Sequence, residues 1–141
     1  LPAANGESVT ARSTRSAVEA CIQNYFEALY TGDTDLLMGS VFHPNAHLYA
    51  ANMGGGFVDW PMDEFRKVIE SRPSPKASGA ERRERIVSMD EAGPDTVMVK
   101  VEVLVGTRDF VDYLSVLKLD GEWRIISKTC VMIKDHAEAA A

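Results

Sequence analysis

Apolar residues alternate with other types through three consecutive runs, 96–105, 110–119 and 122–133. Alternation with a period of two sends successive side chains to opposite faces, so the pattern predicts three antiparallel strands in a meander. Asp120-Gly121 lies between the second and third runs. An Asp-Gly pair there marks a two-residue type I′ hairpin, which needs positive φ at both central residues and sets Leu119 opposite Glu122. Carried along the ladder, that register puts Phe110, Asp112, Leu114, Val116 and Lys118 on one face with Trp123, Ile125, Ser127, Thr129 and Val131. A short turn at 106–109 adds Val97, Val99, Val101, Val103 and Val105 to the same face, which is therefore the core side. The other face carries Met98, Lys100, Glu102, Leu104, Val111, Tyr113, Ser115, Leu117, Arg124, Ile126, Lys128, Cys130 and Met132, a mixed set too apolar to be wholly wet. Asp112 is the misfit among the valines.

Upstream the period changes to helical. Val18, Cys21, Ile22, Tyr25, Phe26 and Leu29 form one apolar stripe on a helix over 16–30, closed by Gly32. A second helix follows, capped by Asp33 or Thr34, with Leu36, Leu37, Val41 and Phe42 inward and Pro44 as its stop after His43. Residues 46–52 read as a short strand, Gly54 to Gly56 as a turn, and 57–60 as its hairpin partner. Pro61 then suits a first helical turn, Asp63 and Glu64 favour the positive end of the helix dipole, and Phe65, Val68 and Ile69 mark the buried side of a third helix. A proline-containing loop spans 71–79, and a strand over 81–90 leads into the valine strand. Helices segregated from a curved antiparallel sheet make the fold class α+β. The expected division is a flexible N-terminal segment at 1–15, one domain at 16–133 and a flexible tail at 134–141.

Composition narrows the partners. With 141 residues, one domain buries enough surface to be stable and no second is needed. A net charge of −6 argues against nucleic acid and against an anionic membrane, because the only basic cluster is the short Glu81–Arg85 stretch, itself part acidic. No apolar run reaches the length of a membrane span. Cys21 on a helix stripe and Cys130 on the outer strand face are expected to be reduced thiols. The sequence starts at Leu1 without a methionine and with small polar residues, which leaves a processed or trimmed N-terminus open, and no apolar leader segment remains to decide it; a cytoplasmic protein is expected, with a processed periplasmic form left open.

The stretches "YFEALYTGDTDLLMGSVFHPNAHLYA", "DEFRKVI" and "FVDYLSVLKLDGEWRIISKT" occur in that order. Together they resemble the nuclear transport factor 2-like superfamily, in the branch labelled putative lumazine-binding, a relative of the SnoaL-like group. The resemblance covers residues 17–131. It implies a cone in which a bent antiparallel sheet, of cystatin-like topology, wraps around about three helices and leaves a pocket at the wide end. It also implies a homodimer formed through the outer sheet face. Members include isomerases, dehydratases, epoxide hydrolases, cyclases and non-catalytic binding modules, so the resemblance specifies fold and leaves function open.

The candidate chemistry starts at Asp112. A carboxylate on a core face costs several kcal/mol, by general experience about 2–7 for a polar group without compensation, unless it is paired or hydrogen-bonded. Two readings stay open: an acid, base or orienting carboxylate, or a structural hydrogen-bond acceptor. His43, at the helix-to-strand corner, is a candidate proton-transfer partner for Asp112 or a cap on the helix C-terminus. His47 is a weaker candidate, because Ala46 and Leu48 take the inward positions. His136 is expected in solvent. For ligand walls, Tyr25, Tyr49, Phe57, Trp60, Phe110 and Thr129 are selected, and flat aromatic surfaces suit a small hydrophobic organic ligand. Asp59 either faces that ligand or caps a helix. The three histidines have no metal-ligand spacing and no stretch forms a phosphate loop, so neither metal nor cofactor is expected. The resulting reading is a cofactor-free proton-transfer enzyme of isomerase, dehydratase or cyclase type. The alternative is a ligand-carrying or protein-association module. The sequence shows no second carboxylate paired with a tyrosine at positions matching ketosteroid isomerase-like sites.

Overall fold

The computed structural model describes residues 9–137, with side chains from Ser13 onward. Helix α1 runs Val9–Thr31, starting within the segment expected to be flexible. Strand β6 continues to Asp135, into the expected tail. The flexibility expected of 1–8 and 138–141 lies outside the described residues.

Every residue of the α1 stripe, from Val18 to Leu29, is buried. The helix ends where Gly32, at φ +72°, donates to Ala28 O at 2.9 Å. A Cβ at Gly32 would lie 2.9 Å from Ser74 Cβ, so glycine is required there both by conformation and by space. The second helix is shorter than expected. It consists of α2, Thr34–Leu36, capped by the Asp33 carboxylate, and a single wider π turn, Leu37–Val41. Phe42 already belongs to β1, Phe42–Ala50, with its ring still buried. Pro44 therefore sits inside a strand, where the register of β1 is irregular, rather than ending a helix. After the glycine turn, β2, Val58–Pro61, pairs back on β1. Helix α3, Met62–Glu70, presses Met62, Phe65 and Ile69 inward. It is tied to α2 by Thr34 Oγ1, which donates to Glu70 Oε2 at 2.7 Å.

Four long strands follow: β3 Glu84–Glu91, β4 Thr96–Val105, β5 Arg108–Leu119 and β6 Glu122–Asp135. The sheet is curved and unclosed, in the order β2-β1-β6-β5-β4-β3, with β1 parallel to β6 and all other neighbours antiparallel. The β5–β6 turn has the expected geometry, with φ +52° at Asp120 and +80° at Gly121, and Leu119 pairs with Glu122. Val97, Val99, Val101 and Val103 face the core across from Val116, Leu114, Asp112 and Phe110.

The expected β5–β6 register fails twice, at Ile126 and again at Ile133, where Phe110 pairs with Met132 and Asp109 with Lys134, and the first shift has consequences for the site. Val116 pairs with Ile125, yet Ser115 pairs with Ser127, so Ile126 is an extra residue in β6. An extra residue reverses the alternation beyond it. Lys128, Cys130 and Met132 consequently point into the fold, and Ser127, Thr129 and Val131 point out. The bulge also bends the strand, which helps the sheet wrap around α1.

Candidate functional site

Between the concave sheet and helices α1 and α3 lies a cavity of about 290 Å³. Leu29, Leu48, Trp60, Phe65, Val103, Phe110 and Met132 make most of its apolar wall, and Met53 and Gly54 bring the β1–β2 loop to its edge. That loop is held by Asn52, whose side-chain oxygen accepts from Gly54 N at 3.0 Å and Gly56 N at 3.2 Å.

The polar lining divides in two. Lys128 is only 7% exposed, with Nζ 4.9 Å from the Phe65 ring centre and 5.1 Å from that of Tyr25. Two ring faces stabilise a cation that has lost most of its water. Behind it, Asp112 is 0% exposed and does not itself line the cavity. Its Oδ2 lies 3.9 Å from Lys128 Nζ and accepts the Tyr25 hydroxyl at 2.5 Å. Oδ1 is buried and has no hydrogen-bond partner among the described residues. Breaking such a pair by removing one partner is far more costly than the pair's net worth, because the remaining charge keeps its desolvation penalty. The second group, Arg72, Arg108 and Asp135, also lines the cavity, and both arginines border a broader open groove of about 670 Å³.

Burial, with Asp112 adding to it, pushes the Tyr25 phenol well above its usual range, so it acts as a hydrogen-bond donor. Burial likewise raises the Cys130 thiol, against the pull of Lys128. Burial also pushes the Cys21 thiol from 9.0 up to about 11, although Arg124 opposes it. Both cysteines are thus poor nucleophiles. Because the Cys21 and Tyr25 values rise on folding, their contribution to stability is complete below about pH 9 and is lost as pH rises toward and beyond 11. The Cys21 part corresponds to roughly 2 kcal/mol by pH 11. Urea midpoints of wild type and Cys21→Ala should diverge less at pH 11 than at pH 8; an unchanged difference would refute it.

The residues selected from sequence separate into three groups. Trp60 and Phe110 line the cavity, while Tyr25 and Asp112 stand one layer behind Lys128. The others lie elsewhere. His43 accepts from Asn45 N at 3.0 Å through Nδ1 and borders a shallow hollow with Met38, Pro44, Met62, Asp63 and Arg66, away from Asp112. Tyr49 alternates outward from Leu48 and Ala50 and stacks on His47, with ring centres 5.9 Å apart. His47 Nδ1 in turn meets Asp59 at 2.7 Å, and Asp59 does not line the cavity. Phe57 is 73% exposed. Thr129 lies on the outer face opposite Tyr113, and Cys130 lines the cavity, both reversed from expectation by the Ile126 bulge. His136 is bound rather than free in solvent: its Nε2 meets Asp109 Oδ2 at 2.6 Å and its backbone N donates to Thr107 O. Lys128 is the residue that sequence reasoning missed. The available signal was the polar Ser127-Lys128-Thr129 run in the middle of an apolar strand.

Comparisons with known proteins agree with this architecture. A model of the family described as "Putative lumazine-binding" matches residues 13–130. Aldolase FrzH from Cladobotryum sp is 28% identical over 118 residues, covering 82% of this chain and 89% of that one. An NTF-2 like protein of unknown function from Silicibacter pomeroyi DSS-3 superimposes with a TM-score of 0.76 at 26% identity, over 86% of this chain and 97% of that one. A ketosteroid isomerase-like protein from Erwinia carotovora atroseptica SCRI1043 does so with a TM-score of 0.66 at 14% identity, over 84% and 95%.

Proposed function

Since this chain belongs to the putative lumazine-binding family and has a small-molecule-binding NTF2-like fold, we propose that it is a cofactor-free proton-transfer enzyme acting on a small hydrophobic carbonyl compound. The observation that carries this reading is the Lys128–Asp112–Tyr25 chain at the inner end of a cavity whose body is apolar and whose other charged residues, Arg72, Arg108 and Asp135, form a separate group. An ammonium group in such surroundings stabilises negative charge developing on a carbonyl oxygen much more than it would in water. With one of its protons passed to Asp112, the Lys128 amine takes the proton from the adjacent carbon, and the ammonium so formed stabilises the resulting enolate, the species shared by isomerisation, cyclisation and aldol addition. Lys128 is the group that meets substrate. Asp112 orients it and exchanges a proton with it, and Tyr25 fixes Asp112 by its short hydrogen bond. The name of the Cladobotryum relative supports carbon–carbon chemistry of this kind without specifying a substrate. His43, Tyr49, Phe57 and Thr129 have no part in the site proposed.

The test is hydrogen exchange. Cyclic and aryl ketones incubated in deuterium oxide with the protein should exchange hydrogens next to the carbonyl faster than without it, as read by NMR. Binding without exchange by any of them would move the assignment to a ligand-carrying module.

A homodimer through the outer sheet face also belongs to this reading. Met98, Tyr113, Val131 and Ile133 are each at least 45% exposed on or beside that face, a grouping that a partner surface would cover.

A further inference from the structure

Charge at the two ends of the cavity is not distributed alike. At the inner end, Lys128 is matched by Asp112. At the mouth, two guanidinium groups stand against one carboxylate. Arg108 Nε donates to Asp135 Oδ2 at 3.2 Å. Asp135 is already engaged by Thr107 Oγ1 at 2.8 Å and by Ala137 N at 3.0 Å, and these bonds hold its carboxyl below the usual range. Arg72, on the loop after α3, has no carboxylate or other side-chain hydrogen-bond partner among the described residues, and its neighbour is another cation, Arg108. One positive charge is therefore left over at the opening of an apolar pocket, in a chain whose net charge is −6. A like-charged pair is an unfavourable arrangement for an empty site and a favourable one for an anion, which both forks can engage.

We propose that the ligand is an amphiphilic monocarboxylic acid, with its carboxylate between Arg72 and Arg108, its apolar body against Trp60 and Phe110, and its other end at Lys128. This assignment rests on the pocket reading above and adds the substrate class to it. A carboxylate carries the single charge that balances the mouth; a phosphate monoester would overcompensate it. The cavity, at about 290 Å³, lies at the small end of ligand sites. The body is thus limited to one or two rings or a short chain.

The experiment compares binding of matched pairs, aryl and alicyclic carboxylates against their primary amides, starting with trans-cinnamate and cinnamamide and including phenyl phosphate. Calorimetry on wild type, Arg72→Gln and Lys128→Met gives the readout. Carboxylates should bind about tenfold or more tightly than amides, the usual range for a charge-assisted hydrogen bond. The preference should shrink in about 0.5 M salt. It should vanish in Arg72→Gln and persist in Lys128→Met. Arg72 is exposed and its side chain makes no hydrogen bond to the described residues, so its replacement leaves the fold intact. Amides binding as well as carboxylates would overturn the carboxylate assignment and leave the pocket reading standing. Tighter binding of phenyl phosphate would overturn the choice of anion. Failure of the whole set to bind would overturn both readings.

Discussion

Asp112→Asn should keep the fold and lose turnover. Asparagine fills the same space, and its side-chain oxygen can still accept the Tyr25 hydroxyl, now 2.5 Å from Oδ2. The negative charge facing Lys128 is lost, and with it the group that holds and exchanges the lysine proton. Removing a positioned acid–base group reduces rates by about 10²–10⁴-fold. The rate of hydrogen exchange into the ketone that wild type handles best is the measurement, with circular dichroism confirming the fold. A variant within a few-fold of wild type would remove Asp112 from the mechanism. Asp112→Ala behaves differently, because it leaves both a phenol and an ammonium buried without their acceptor. Its thermal unfolding should reveal a loss of about 3–5 kcal/mol, the range for breaking a buried pair.

Lys128→Met is the second large effect. The methionine retains the length and apolar stem of lysine, so packing against Phe65 and Tyr25 survives, but Asp112 is left buried without a cation. The single variant should lose about 3–5 kcal/mol together with all exchange activity. Adding Asp112→Asn to it should recover much of the stability and none of the activity, since replacing a complete buried pair by neutral groups is often close to neutral. Urea unfolding of the four proteins closes this cycle. Equal stability losses that simply add would mean the two residues do not interact, and the site as described would be wrong.

These effects could not all have been anticipated from the chain. Local rules decided a good deal. The stripe from Val18 to Leu29 makes a helix buried on one side whatever surrounds it, because its spacing matches one helical face. Asp120-Gly121 closes a hairpin by its own φ preferences, and Leu119 meets Glu122 as a result. The alternating valines of β4 identify the concave face and with it the buried position of Asp112. The ordered stretches from Tyr25 to Thr129 were enough to indicate the family and its α+β cone.

Tertiary structure decided the rest, and one residue accounts for much of it. The bulge at Ile126 arises from the need to bend β6 around the helices while it pairs with β5 on one side and runs parallel to β1 on the other. Nothing in a local alternation pattern reports that demand, and a shift of one residue exchanges every side chain beyond it between faces. Lys128 thereby moved from the outer face to the inner end of the cavity, and Thr129 moved the opposite way. His43 and Tyr49 illustrate the same limit at β1, where nearness in sequence to Pro44 and to the glycine turn did not determine which side they would face. The sequence by itself determined most of the elements, though not the π turn at Leu37–Val41 or the strand that starts at Phe42, and it determined that a carboxylate would be buried among valines. Only the folded chain determined what that carboxylate touches, because its partners reach it from a helix far away along the chain, for Tyr25, and across a bulge in the next strand, for Lys128.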